Sequence, residues 1–116
     1  MAVTIKKVEK WAQKKKVNKL LKVLPDVVET DVRIAILQAL GNTNDEKAMH
    51  TTILYLRDQD PTVRYTALEA LGNMGNGRAL EFVRQLWNNE KDEKVHEKAE
   101  WAIREIKAKM VNEEKN

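Results

Sequence analysis

The sequence contains no cysteine and no serine. Without cysteine there are no disulfides and no thiolate zinc sites, which fits a reducing compartment. Without either residue the two commonest side-chain nucleophiles are missing, and so are the acyl-enzyme chemistries that depend on them. Proline occurs twice and glycine four times in 116 residues, too few for the many turns of an all-β domain. No uninterrupted apolar run approaches the roughly 20 residues that a membrane-spanning helix needs. The opening residues Met1 to Lys7 are not followed by the apolar core of a secretory signal. Together these features predict a cytoplasmic protein.

What is present favours helix. Hydrophobic residues make up 42% and charged residues 34%, the balance of a folded soluble domain and not of a disordered chain. The length suits one domain and is short for two. Alanine, leucine, glutamate and lysine are plentiful, and all four are good helix formers. The net charge of +3 is unevenly spread. Residues 1–22 hold eight lysines (Lys6, Lys7, Lys10, Lys14, Lys15, Lys16, Lys19, Lys22) against Glu9 alone, so this end carries +7 and the remainder −4. A basic end joined to a mildly acidic body is the main electrostatic feature.

The chain repeats itself. From Asp31 it reads D-V-R-I-A-I-L-Q-A-L-G-N, and from Thr62 it reads T-V-R-Y-T-A-L-E-A-L-G-N. Val32, Arg33, Leu37, Ala39, Leu40, Gly41 and Asn42 recur 31 residues later as Val63, Arg64, Leu68, Ala70, Leu71, Gly72 and Asn73. A fainter third copy follows at a spacing of 32, with Val95, His96, Ala99, Ala102 and Ile103. Each copy has the apolar spacing of a helix, as in Val32, Ile36, Ala39 and Leu40. Asp60 before Pro61 is a helix-start signal, and Gly41 and Gly72 are expected in the left-handed conformation that ends a helix. Amphipathic stretches lie between the copies: Met49, Thr52, Ile53 and Leu56; Ala79, Phe82, Val83 and Leu86; and earlier Val17, Leu20, Leu21 and Leu24. Ile5, Val8, Trp11 and Ala12 mark a degenerate first helix. The periodicity therefore predicts seven helices, at 3–15, 17–25, 30–41, 45–57, 61–74, 77–88 and 92–111, with residues 112–116 frayed.

The pattern D-P-x-V-R-x-x-A-L-x-A-L-G followed by an amphipathic helix resembles the short HEAT-like repeats first associated with phycobilin lyases. Asp60, Pro61, Val63, Arg64, Ala67, Leu68, Ala70, Leu71 and Gly72 carry it, and the likeness spans roughly residues 26–105. The resemblance implies an all-α, armadillo-like fold, a right-handed α-solenoid of three to four helical hairpins. Residues 1–29 would be a degenerate N-terminal cap unit, 30–60 and 61–91 two repeats, and 92–111 a C-terminal capping helix. His96 and Arg104 replace the Arg and Gly of the motif in the last copy. Terminal units of a solenoid face solvent on one side and are expected to depart from the pattern.

Little supports catalysis, and no cofactor is expected. His50 and His96 are far apart and lack metal-ligand spacing, and the four glycines include no phosphate-binding loop. His96 standing in the repeat-arginine position is read as structural, and His50 as solvated. The resemblance implies that Arg33 and Arg64 bond along the stack, tying one inter-repeat turn to the next, with Asp31 and Asp60 as their acids. It also implies that the second helices line a concave binding face. Removing the core rows leaves Lys19, Lys22, Tyr55, Arg84 and Trp87 as groove residues, a composition seen at binding hot spots. In the bland alternative Trp87 closes the core near a helix end and Tyr55 reaches to the surface. The leading expectation is a protein-interaction or scaffold module for a protein or peptide, acting as a monomer or weak homo-oligomer. The alternative is nucleic-acid or anionic-surface binding through Lys7, Lys10, Lys14, Lys15 and Lys16. The resemblance alone suggests a third role, as accessory subunit of a lyase-type enzyme.

Overall fold

A computed structural model describes residues 2–115. Seven α-helices follow one another: α1 (Ile5–Gln13), α2 (Val17–Val23), α3 (Thr30–Leu40), α4 (Glu46–Leu54), α5 (Pro61–Met74), α6 (Leu80–Asn89) and α7 (Glu93–Lys115). Single 3-10 turns at Leu24–Asp26 and Tyr55–Arg57 finish α2 and α4, and one at Gly77–Ala79 leads into α6. Among the described residues there is no strand.

The helix starts are written in short polar side chains. Thr4 Oγ1 accepts from the Lys7 N–H at 3.2 Å, and Asp45 Oδ1 accepts from the Ala48 N–H at 2.9 Å. Asp60 Oδ1 accepts from the Thr62 N–H at 2.8 Å, with Pro61 at the first helical position, where a missing N–H costs nothing. Thr62 also donates its hydroxyl to that carboxylate, and the two bonds hold Asp60 below the usual carboxylate range.

The helices form two layers. α1, α3, α5 and α7 pack side by side, and α2, α4 and α6 lie against them. The Cα envelope of 43 × 36 × 17 Å is accordingly two helices thick. Between the layers Leu20, Leu24, Ile36, Leu37, Leu40, Met49, Val63, Leu68, Leu71, Val83 and Ile106 are fully buried. Two threonines share this interior, Thr52 and Thr66, and each donates its hydroxyl to the carbonyl four residues back.

Close approach within the first layer explains the repeated glycine, and corrects the expectation for it. Gly41 has φ −64, an ordinary helical value, and α5 runs through Gly72 to Met74. The left-handed residue is Gly75, at φ +64. A Cβ on Gly41 would lie 2.8 Å from the Cα of Ala70, and one on Gly72 would lie 2.3 Å from Cζ3 of Trp101. The motif glycine is small because a helix of the next hairpin presses on it, not because the chain turns there.

Two other departures are local. α7 does not stop near residue 111 but continues to Lys115, so residues 112–115 are helical; Asn116 lies outside the described residues. No glycine or proline follows Ala79 to end it, and Lys109 anchors it by donating its ammonium to the Met74 carbonyl at 3.0 Å. At the other end, Lys15 turns the chain from α1 into α2 at φ +55. A side-chain-bearing residue in that left-handed conformation costs about 1 kcal/mol.

Candidate functional site

The repeated arginines form a ladder, but with other acids than Asp31 and Asp60. Arg33 on α3 donates to Asp58 Oδ1, and Asp58 Oδ2 accepts from the Asp60 N–H at 2.9 Å. Arg64 on α5 donates through Nε and Nη2 to both oxygens of Glu90, at 2.8 and 2.9 Å. Its Nη1 reaches back to the carbonyls of Asp58 and Gln59 at 2.9 and 3.1 Å. Glu90 Oε2 then accepts from the Asp92 N–H at 3.0 Å, and Asp92 caps the start of α7 through Val95. Each arginine thus clamps the turn that follows the next helix. Asp31 instead sits in the first turn of α3 and bonds the Val32 N–H, while Asp60 caps its own helix. The Arg64 bonds hold the Glu90 carboxyl below its ordinary range, and the Glu90 bonds raise the Arg64 guanidinium further.

The two layers differ in how tightly they close. In the second layer α4 rests on α5 and α6 on α7, and α4 and α6 barely touch. The gap between them is a cleft of about 420 Å³. Leu56 and Leu86, 6% and 9% exposed, form its floor. Leu54 on one wall is 70% exposed and Phe82 on the other 44%, and Ile53, Gln85, Asn89 and Glu90, whose carboxylate is held by Arg64, also line it. Arg57 stands at the edge with no ion-pair partner among the described residues. Phe82 was expected in the core row of its helix. It is instead half open, on the wall of the cleft that faces α4. Leu54 was legible as an anomaly, since it falls off the Met49, Thr52, Ile53 and Leu56 stripe.

The residues expected to share one groove are distributed over four places. Tyr55 is half-buried, with the Arg33 guanidinium 5.5 Å from its ring centroid. Burial raises its phenol above the ordinary value, against the opposing effect of Arg33. Arg84 and Trp87 line a separate hollow of about 350 Å³ between α6 and α7, with Glu100, Ile103, Arg104 and Lys107. There Trp87 stacks on His96 at 5.0 Å between centroids, so the residue replacing the repeat arginine packs instead of clamping a turn. Lys22 borders a hollow with Val3 and Val27 beyond α2. Lys19 lies against Trp11, 5.9 Å from its centroid. Lys10, Lys14, Lys15 and Lys16 are exposed, and Lys7 is half-covered beside Trp11.

Among the described residues no group of three or more His, Asp or Glu side chains is placed to hold a metal ion. His50 is solvated, 3.7 Å from Glu46. No described helix is long and apolar enough to cross a membrane. What the geometry offers is a contact surface: an apolar cleft between two second-layer helices and a lysine-rich end.

Comparison with known proteins agrees with this helical, repetitive construction of the fold. No curated protein matches the sequence significantly. The family model for HEAT repeats matches residues 17–104, three quarters of the chain, covering α2 through the first half of α7. With its paired helical layers, its 31-residue repeat and this match, the chain belongs to the HEAT-repeat family, whose helices stack as an α-α superhelix.

Proposed function

We propose that the protein is a non-catalytic interaction module that holds a segment of a protein partner in the cleft between α4 and α6. HEAT repeats commonly serve as protein-interaction or scaffold modules, which supports the class of function. The observation that carries the location is the pair Leu54 and Phe82, two large apolar side chains left open on facing walls of a cleft with an apolar floor. Apolar side chains on facing walls with a few polar groups at the rim are the usual make-up of a recognition site.

The chemistry at the rim narrows the occupant. An apolar anchor would fill the space over Leu56 and Leu86, and a carboxylate beside it would reach Arg57. Covering Leu54 and Phe82 would contribute about 1–2 kcal/mol each, since both start partly exposed. Leu54→Asp tests this without disturbing the fold, because a side chain that is 70% exposed contributes little to stability. The variant should melt within about 2 °C of wild type, a shift of under 0.5 kcal/mol. It should release a partner at least tenfold more readily. Equal retention by Leu54→Asp and by Phe82→Asp would remove the cleft from consideration.

A further inference from the structure

The lysines of residues 6–22 all lie on α1, on α2 or in the turn between them. Lys6, Lys7 and Lys10 on α1 and Lys14 at its C-cap fall within an arc of about 100°, because 3.6 residues complete a turn. Val8 lies on the opposite side of that helix and is buried. Lys19 and Lys22 share a face of α2. The indole of Trp11 joins the two sets, with the Lys7 ammonium 5.7 Å and the Lys19 ammonium 5.9 Å from its centroid.

This surface is electrostatically unfinished. Elsewhere Arg33, Arg64, Arg78, Arg84 and Lys98 are paired with carboxylates, and the unpaired cations, such as Arg57 and Lys94, are scattered among acids instead of gathered at one end. Among the described residues none of the eight N-terminal lysines has such a partner. The hinge residue Lys15 points the same way. Its φ of +55 is a position that glycine or asparagine fills at lower cost, yet a lysine stands there, between two others. Backbone strain retained together with a charge suggests that the charge is used.

We infer that this surface binds the phosphate backbone of duplex nucleic acid without reading its sequence. A duplex presents one negative charge per ~1.7 Å of axis, dense enough to meet several of these ammonium groups at once. The first arginine is Arg33, so the surface has only point-charge lysines and no guanidinium fork for base edges. A lipid surface fits less well. Membrane-binding helices insert apolar side chains beside their lysines. The exposed Ile5 lies on the side of α1 away from the lysine arc, and Trp11 is flanked by two ammonium groups. The acidic remainder of the chain confines the contact to the lysine-rich end of the stack.

Fluorescence anisotropy with a labelled random 20-base-pair duplex tests the inference on the full chain. With about 4–5 phosphates neutralised, the affinity should fall at least 100-fold between about 50 and 200 mM salt. Lys10→Ala, Lys14→Ala and Lys19→Ala combined should lose tenfold or more in affinity with unchanged helical circular dichroism. Lys15→Gly should separate stability from binding, melting roughly 3–5 °C higher as the strain is relieved yet binding the duplex several-fold more weakly. Leu54→Asp should bind the duplex as wild type does. The inference is overturned by absent binding at about 50 mM salt, or by a Lys15→Gly variant that gains stability and keeps full affinity. Preferential binding to phosphatidylserine vesicles or to polyglutamate at equal charge would overturn it as well.

Discussion

Glycine at positions 41 and 72 does the same work twice, and the neighbour differs each time. Gly41 faces the backbone of Ala70, which cannot move without shifting α5. Gly72 faces the ring of Trp101, which has some freedom to tilt. Gly41→Ala should therefore be the more damaging change. Forcing the helices apart is expected to cost about 2 kcal/mol, a fall in Tm of roughly 6–10 °C, against about 1 kcal/mol for Gly72→Ala. Thermal melts followed by circular dichroism decide this, and equal small effects would mean the first layer is not closely packed there. The sequence showed that these glycines repeat, and their recurrence is what exposed the 31-residue period. It did not show why they are glycine. A helix-ending glycine and one pressed by a neighbouring helix look alike until the neighbour is placed.

At the scale of the helix and its turn, the arginine ladder holds the hairpins in register. The Arg64–Glu90 pair is largely withdrawn from water, its side chains 19% and 6% exposed. Replacing Glu90 by Gln keeps the shape and removes the charge, at a cost of about 1–2 kcal/mol at neutral pH. The pH dependence follows from the lowered Glu90 carboxyl. A folded-state value below the unfolded one gives stability that is complete above the unfolded value, near 4.3 for glutamate, and is lost as pH falls through the folded value. Urea melts of wild type and Glu90→Gln should thus differ fully at pH 7 and converge below about pH 4. A gap that stays constant into acid would show that the ion pair contributes nothing. The arginines were legible because they recur with the motif. Their acids were not, because Asp58 and Glu90 sit two residues ahead of the capping positions Asp60 and Asp92, in turns that only the fold brings back to α3 and α5.

Across the whole molecule the order of the helices was readable from apolar spacing, and their layering followed from the repeat. Boundaries slipped where spacing is silent: a 3-10 turn closing α4, a 3-10 turn opening α6, and the extra turn of α7 to Lys115. The proposed binding cleft was the least legible feature. Its residues were sought among polar and aromatic side chains off the core rows, which scattered Lys19, Tyr55, Arg84 and Trp87 over separate places. The cleft depends instead on α4 and α6 standing apart, a property of the stack and not of either helix. Phe82 carries the core periodicity, yet it stands half open on the wall of that cleft. The lysine-rich end is a second surface, so the molecule is a small stack with two separable proposed contacts.

The central claim, that the α4–α6 cleft holds a partner, is tested most directly by quantitative affinity capture from the native cell. Wild type, Leu54→Asp and Phe82→Asp would be compared, each first shown to be folded. At least one protein should be retained by wild type and depleted about tenfold or more by both variants, as expected for losing about 1.4 kcal/mol or more of contact. A captured set that is the same for all three proteins would contradict the claim.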